Sequence, residues 1–436
     1  MRDIVLTAVI AGILLMVFKH PHYGIYLWSW LAYMNPHKQA WGFAYDMPFA
    51  QMAAIVTIVA YFLSKEPKRF IWSPEIVVLL IFIGWMLFTT FFAFYPNNAW
   101  AQWDKVWKIQ LMTFLTLMMI TNRQRLNGLI WVIVLSLGYY GVKGGIFTIM
   151  TGGAFIVWGP SGTFIEGNNE LALALIMMIP LIRYLHLQET RPWVRRGLAA
   201  AMLLCAVAAI GSQSRGAFLA IMSMGLFLWL KSRQKVVTGF FAIVIIAFVA
   251  LFMPAEWYER MGTIQNYEED GSAMGRINAW HTAFNLAKSR ITGGGFETFE
   301  PAVFSQYAPN PLQVHDVHSV YFEVLGEHGF IGLGLWLLLG ALTWIKAGRV
   351  IRACKNNPSQ KWAADLSSMI QVSMVGYATG GAFLGLAYFD LYYHIIVMAV
   401  LAYDFAVKGT DSSPVAAASV PNAPEQLPHP SSRWDG

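Results

Sequence analysis

The feature that most constrains this chain is the recurrence of long apolar runs separated by short polar turns. They fall at residues 4–18, 47–64, 74–94, 106–121, 126–150, 171–187, 197–211, 217–230, 236–254, 320–344, 366–386 and 392–407. A helix needs about 20 mostly apolar residues to cross a bilayer. Inside lipid no water reaches the backbone, so such runs fold as helices that satisfy their own N–H and C=O groups. Composition agrees, with 57% of residues hydrophobic and 12% charged, against about a quarter charged in soluble proteins. The expected fold class is an all-α polytopic membrane protein of about 12 transmembrane helices, with residues 1–408 as a single helical domain.

Charge sets the expected orientation. Residues 20–46 are aromatic-rich but interrupted by Pro21, Pro36 and several glycines, so they read as a re-entrant or interfacial segment, which keeps the count even. With the N-terminus on the cytoplasmic side, most of the 30 Lys and Arg, among them Lys65, Arg69, Arg123, Arg125, Arg195 and Arg196, fall on that side, as the positive-inside rule requires. The same topology puts residues 97–105, 152–170 and 211–215 outside, together with a large extracytoplasmic (periplasmic) loop at 255–317 that carries amphipathic helices. Residues 409–436, rich in Ser, Pro and Ala, are expected to be a disordered cytoplasmic tail. The first run is followed by Lys19-His20-Pro21-His22 without a small-residue cleavage pattern, so it reads as a retained span. Cys205 and Cys354 fall in or beside spans, one at depth and one in a basic loop, and imply no disulfide framework. The net charge of +6 reflects residues flanking spans and points to no nucleic acid.

Chemistry is expected on the outer side. Arg215 sits in Gly211-Ser-Gln-Ser-Arg-Gly216, a polar turn between two runs. It reads either as a snorkelling anchor or as a cation whose planar fork grips a phosphate. Arg276 lies in an amphipathic stretch with apolar residues at Ile277, Trp280, Phe284 and Ala287, spaced to lie on the membrane or dock on the bundle. By spacing alone it is also an ordinary solvated charge. His318 begins a helix after His315 and Asp316; it reads as a structural interface histidine or as a base for a sugar hydroxyl. Glu327 is about 180° round a regular helix from His318, which favours packing or helix–helix hydrogen bonding for it. The acidic run Glu268-Glu269-Asp270 reads as a solvated loop, and no Asp-x-Asp pair is present.

In order along the chain, Gln213-Ser-Arg215-Gly216, Arg276 before Trp280, Gly293-Gly-Gly-Phe-Glu-Thr-Phe, His318-Ser and Glu327-His-Gly329-Phe-Ile-Gly332 resemble the bacterial lipopolysaccharide O-antigen ligase and polymerase superfamily over roughly residues 162–334. The N-terminal third, with its aromatic residues 26–33, resembles the O-glycosylation ligase branch. The resemblance implies a lipid-dependent glycosyltransferase (GT-C-like) architecture in the bacterial inner membrane. It also implies a glycan donor on undecaprenyl pyrophosphate and, for the ligase branch, a lipid A-core acceptor. The family usually has Asn after the histidine, where this chain has Ser319.

The expected function is an O-antigen ligase. Arg215 and Arg276 would hold the donor pyrophosphate and His318 would take the acceptor proton, by inverting transfer without a metal or cofactor. Asn168, Asn169, Glu170 and Lys105 are possible glycan or acceptor contacts. Helix capping explains the first three equally well, and anchoring explains Lys105. Alternatives are an O-antigen polymerase or a protein O-oligosaccharyltransferase with the same donor. A rival of another class is a transporter or flippase of lipid-linked sugars. Such a protein is expected to have repeats and ionisable groups at mid-membrane, where Lys143 is the chief exception among charges otherwise near span ends.

Overall fold

The computed structural model describes residues 1–231, single positions between 235 and 258, and residues 271–411. The described α-helices are α1 (Arg2–Lys19), α2 (His22–Met34), α3 (Phe49–Leu63), α4 (Pro74–Phe91), α5 (Pro96–Met119), α6 (Arg123–Met150) and α7 (Asn168–Gln188). They continue with α8 (Pro192–Gly211), α9 (Arg215–Lys231), α10 (Gly271–Ser289), α11 (Pro301–Tyr307), α12 (Val320–Cys354), α13 (Lys361–Gly380) and α14 (Asp390–Ala406). No strand occurs among the described residues. Eleven of the apolar runs lie on or overlap these helices, and the run at 236–254 lies largely outside the described residues, as do the acidic run at 268–270 and the tail beyond 411. Among the described residues, α4, α6, α7, α8 and α12 are long and apolar enough to cross a membrane, and α3 is a shorter apolar helix.

The core forms around α7 and α14. Residues 171–182 of α7 are all buried, as are 390–402 of α14. A helix that is apolar all round has no face to give to solvent and goes to the centre, so α7 packs against α6, α8, α9 and α13. The peripheral helices instead leave Ile4, Leu15, Phe62, Leu63 and Phe91 exposed, a surface suited to lipid.

Side-chain and backbone bonds tie the helix ends into two groups. At one end Arg125 meets Glu66, Arg69 meets Asp404, and Gln188 bonds Asp365. At the other, Val157 N–H donates to Gly211 C=O, Asn168 bonds Ser212, and Val320 N–H donates to Gly381 and Leu384. The second group holds the candidate site.

Several sequence expectations change here. Residues 97–105, the segment ahead of the run at 106–121, are the first turns of α5; Pro96 starts that helix at a position where its missing N–H costs nothing. Residues 20–46 contain α2, whose 13 residues span about 20 Å, short of the roughly 30 Å of a hydrocarbon core. Two single-turn 3-10 segments follow it. Cys354 ends α12 and is buried. On α10 the buried stripe is Gly275, Asn278, Ala279, Thr282, Ala283, Leu286 and Ala287, while Phe284 is exposed. Small side chains let this helix sit close to α12, and that close approach outweighs the larger apolar residues.

The α12 helix is broken at Gly329, whose φ of 67° and ψ of −172° are non-helical. A break frees the carbonyls of the preceding turn. Gly326 and Glu327 carbonyls accept Gly294 and Gly295 N–H at 2.9 Å each, and His328 C=O accepts Trp85 Nε1 at 2.8 Å. The glycine run 293–295 is thus the plug that replaces the missing helix bonds. A Cβ on Gly293 would lie 2.5 Å from Gly326 O, and one on Gly329 would lie 2.3 Å from Ile291 O.

Candidate functional site

A cavity of about 930 Å³ opens at this second end. Its wall comes from α2 (Trp28, Leu31), α5 (Gln102, Lys105, Lys108), the start of α7 (Glu170), the loops around Phe164, Glu297, Asp316 and Tyr388, and the first turns of α12 (Glu323) and α14 (Asp390).

His318 stands at the rim, two residues before α12, and borders Asp316 of the wall. Its φ of 39° is left-handed, a conformation costly for a residue with a Cβ and characteristic of functional sites. Asp316 Oδ2 lies 3.2 Å from His318 Nδ1, close enough for ion pairing though outside hydrogen-bond alignment. Burial holds the imidazole pKa below its ordinary value; Asp316 opposes that shift, and Arg276 and His315 add to it. The ring is therefore largely neutral near pH 7 and can accept a proton.

Arg276 lies on α10, and its charge is felt by both His318 and Glu170. Arg215 is the first residue of α9. The next residue, Gly216, abuts Phe383 and Leu384, and the same loop accepts Val320 N–H two residues after His318. One loop, 381–387, thus anchors the Arg215 turn on one side and His318 on the other. The turn itself is held by Asn168, whose Nδ2 donates to Ser212 C=O at 2.8 Å. Asn168 is therefore a brace for the Arg215 turn, with its amide nitrogen already engaged. Asn169 is half-buried in the first turn of α7 and does not line the cavity. Glu170 does line it, with Oε2 folded over Gly167. Lys105 also lines it, and is the cation that most favours ionisation of Glu297.

Sequence reasoning missed Glu297. Its φ is 54°, its N–H donates to Glu327 Oε1 at 2.8 Å, and its side chain joins the cavity wall. Burial raises its carboxyl pKa, with Lys105 pulling the other way and Asp316 and Glu300 reinforcing the rise. Glu327 has the hydrogen-bonding job that its place on the helix indicated: its other oxygen accepts Tyr388 OH at 2.5 Å. The available sequence signal was Glu297 within Gly-Gly-Gly-Phe-Glu, a polar residue directly after a run that forces an unusual backbone. Rings of His315 and His318 are 5.6 Å apart, and no group of three potential metal ligands gathers among the described residues.

The described helices thus set a polar cavity at one end of the bundle, with His318 beside Asp316 of its wall and Arg215 and Arg276 on neighbouring elements. Residues 200–337 match the O-antigen ligase family, and residues 1–190 match a family of unknown function, DUF5935. The match over residues 200–337 supports the O-antigen ligase and polymerase superfamily, and five described helices are long and apolar enough to cross a membrane. No curated protein matches it. Arg215, Arg276 and His318 fall within the O-antigen ligase region, whereas Lys105 and Asn168 to Glu170 come from the other matched region. The two regions meet at the α7–α8 connection, yet α6 and α7 pack on α8 across that boundary.

Proposed function

We propose that this protein is an O-antigen ligase. It transfers a glycan from undecaprenyl pyrophosphate to a hydroxyl of a lipid A-core oligosaccharide, on the periplasmic side of the bacterial inner membrane. The observation that carries this reading is the neutral, left-handed His318 at the cavity rim, beside Asp316 and within the field of Arg276. About twelve crossings, with the segment at 255–317 outside, bring that rim to the periplasm. Arg215 and Arg276 bind the pyrophosphate and stabilise the charge that grows on its leaving oxygen, a contribution of several kcal/mol in a partly dry site. His318 takes the acceptor hydroxyl proton as that oxygen bonds to the anomeric carbon. The bond from that carbon to the pyrophosphate breaks, undecaprenyl pyrophosphate leaves, and the imidazolium returns its proton to water. Attack opposite the leaving group inverts the anomeric centre. Glu170 and Lys105 are placed to contact the glycan; Asn168 acts through the Arg215 turn, and Asn169 is a weaker contact candidate because it lies outside the wall.

The test is transfer and donor binding by purified protein in vesicles. His318→Ala should lower transfer by about 100 to 10,000-fold while leaving lipid-linked donor bound. Arg215→Ala and Arg276→Ala should each weaken donor binding, and Arg276→Lys should restore little because one ammonium cannot replace the guanidinium fork. Full transfer by His318→Ala sinks the base assignment. In cells, deletion of the gene should leave polymer on undecaprenyl lipid; core carrying a single repeat unit would instead favour a polymerase, and loss of glycan from protein a protein-directed transferase.

A further inference from the structure

Charge around the cavity is lopsided. Among the described residues the wall carries the carboxyl groups of Glu170, Glu297, Glu300 and Asp316 against the ammonium groups of Lys105 and Lys108, with Glu323 accepting Ala387 N–H, Glu327 accepting Tyr388 OH and Asp390 buried. Lys108 is already paired with Asp104 at 2.6 Å. Arg215 and Arg276 are not lining residues. A phosphate inside this cavity would face more carboxyl groups than ammonium groups, in a poorly hydrated space that strengthens like-charge repulsion. Sugar hydroxyls are donors, and each carboxylate offers two accepting oxygens. Trp28, Phe164 and Phe299 add aromatic faces to the same wall, giving the mixture of apolar surface and few oriented polar groups typical of small-ligand sites.

Glu297 is held in this wall from behind. The buried Glu327 carboxylate takes its backbone N–H on one oxygen and Tyr388 OH on the other. That clamp sustains a strained, left-handed backbone and leaves the Glu297 carboxyl to the cavity wall that Lys105 also lines.

We propose that the cavity receives an uncharged, hydroxyl-rich saccharide and that Glu297 is a specificity residue which turns away saccharides phosphorylated on the sugar it meets. In the reaction proposed above that sugar bears the accepting hydroxyl; its role as acceptor rests on that reading, whereas its binding does not. The molecule thereby separates two chemistries, with pyrophosphate held by the arginines outside the wall and polyol held by carboxylates inside it.

The experiment uses the full-length protein in lipid nanodiscs and a delipidated core oligosaccharide, compared before and after enzymatic dephosphorylation, with binding read by saturation-transfer NMR. The dephosphorylated form should bind at least about 10-fold more tightly. Glu297→Gln should narrow that ratio, and Lys105→Met, which removes the opposing positive charge, should widen it. Equal binding of the two oligosaccharides overturns the proposal, as does an unchanged ratio in a Glu297→Gln protein with wild-type thermal unfolding. Should Glu297→Gln fail to fold, Lys105→Met decides alone, and a ratio that stays fixed or narrows overturns the proposal. Transfer is assayed in parallel: selective binding without transfer retires the ligase reading and keeps this one, while transfer without selectivity retires this one alone.

Discussion

At the end of the bundle where α3 stops and α6 begins, Arg125 grips Glu66 with both guanidinium nitrogens, at 2.7 and 2.8 Å, and Lys346 meets Glu75 at 2.5 Å with both side chains buried. At the opposite end, Glu297, Glu300, Asp316 and Glu323 share one cavity with Lys105 and Lys108. The first arrangement offsets the cost of desolvating each charge with an opposite charge, bidentate between Arg125 and Glu66. The second leaves like charges facing a common space, which a fold selected for stability alone would dilute. The difference sets the paired charges of one end apart from the shared cavity of the other.

That contrast can be broken most forcefully at Lys346. Replacing Lys346 by Met leaves Glu75 buried without its cation and should cost about 3–5 kcal/mol, read as a fall in unfolding temperature in detergent. The double variant Glu75→Gln with Lys346→Met should recover most of it. At the cavity end Glu323→Gln should cost little, because Gln keeps an oxygen for the Ala387 N–H that Glu323 Oε2 accepts. Equal destabilisation by Lys346→Met and Glu323→Gln would erase the distinction between the two ends. A smaller loss, about 1–3 kcal/mol, is expected for Gly329→Ala, which forces a Cβ to 2.3 Å from Ile291 O at a left-handed φ. Gly334→Ala, with open space around its Cβ, is the control and should be neutral.

The smallest effect concerns pH. Because the folded His318 pKa lies below the ordinary value of about 6.5, chiefly through burial, transfer should stay high as pH falls to that value and decline only at lower pH, where the ring protonates. Asp316 raises this pKa, so Asp316→Asn should move the acid limb of the rate profile to still lower pH. A limb that stays in place or moves upward would show that Asp316 does not act on His318.

Much of this organisation was legible along the chain. The apolar runs locate eleven helices, because lipid or a buried core admits only internally bonded backbone. The polar turn at Arg215 was readable from Ser and Gly next to a cation between two such runs, and His318 from its place where a hydrophilic stretch becomes apolar. The α5 start at Pro96 lies ahead of the apolar run at 106–121, because Asp104, Lys105 and Lys108 lower the hydropathy of the first turns. The docking stripe of α10 was misread for a related reason: periodicity weights large apolar residues, whereas close helix contact selects Ala279, Ala283 and Ala287. Glu297 escaped because its backbone is dictated by a carboxylate 30 residues away.

By itself the sequence determined a helical membrane protein, the approximate places of its helices and the three residues on which the proposed chemistry turns, because hydrophobic length and local polarity are properties of single segments. Tertiary structure decided which of those segments share a cavity. It made Asn168 a brace for the Arg215 turn, seated the glycine run in the broken turn of α12, and placed Glu297 among carboxylates that come from helices far apart in the chain. Hydrogen bonds across such separations depend on the packing of whole helices, and no local pattern encodes them.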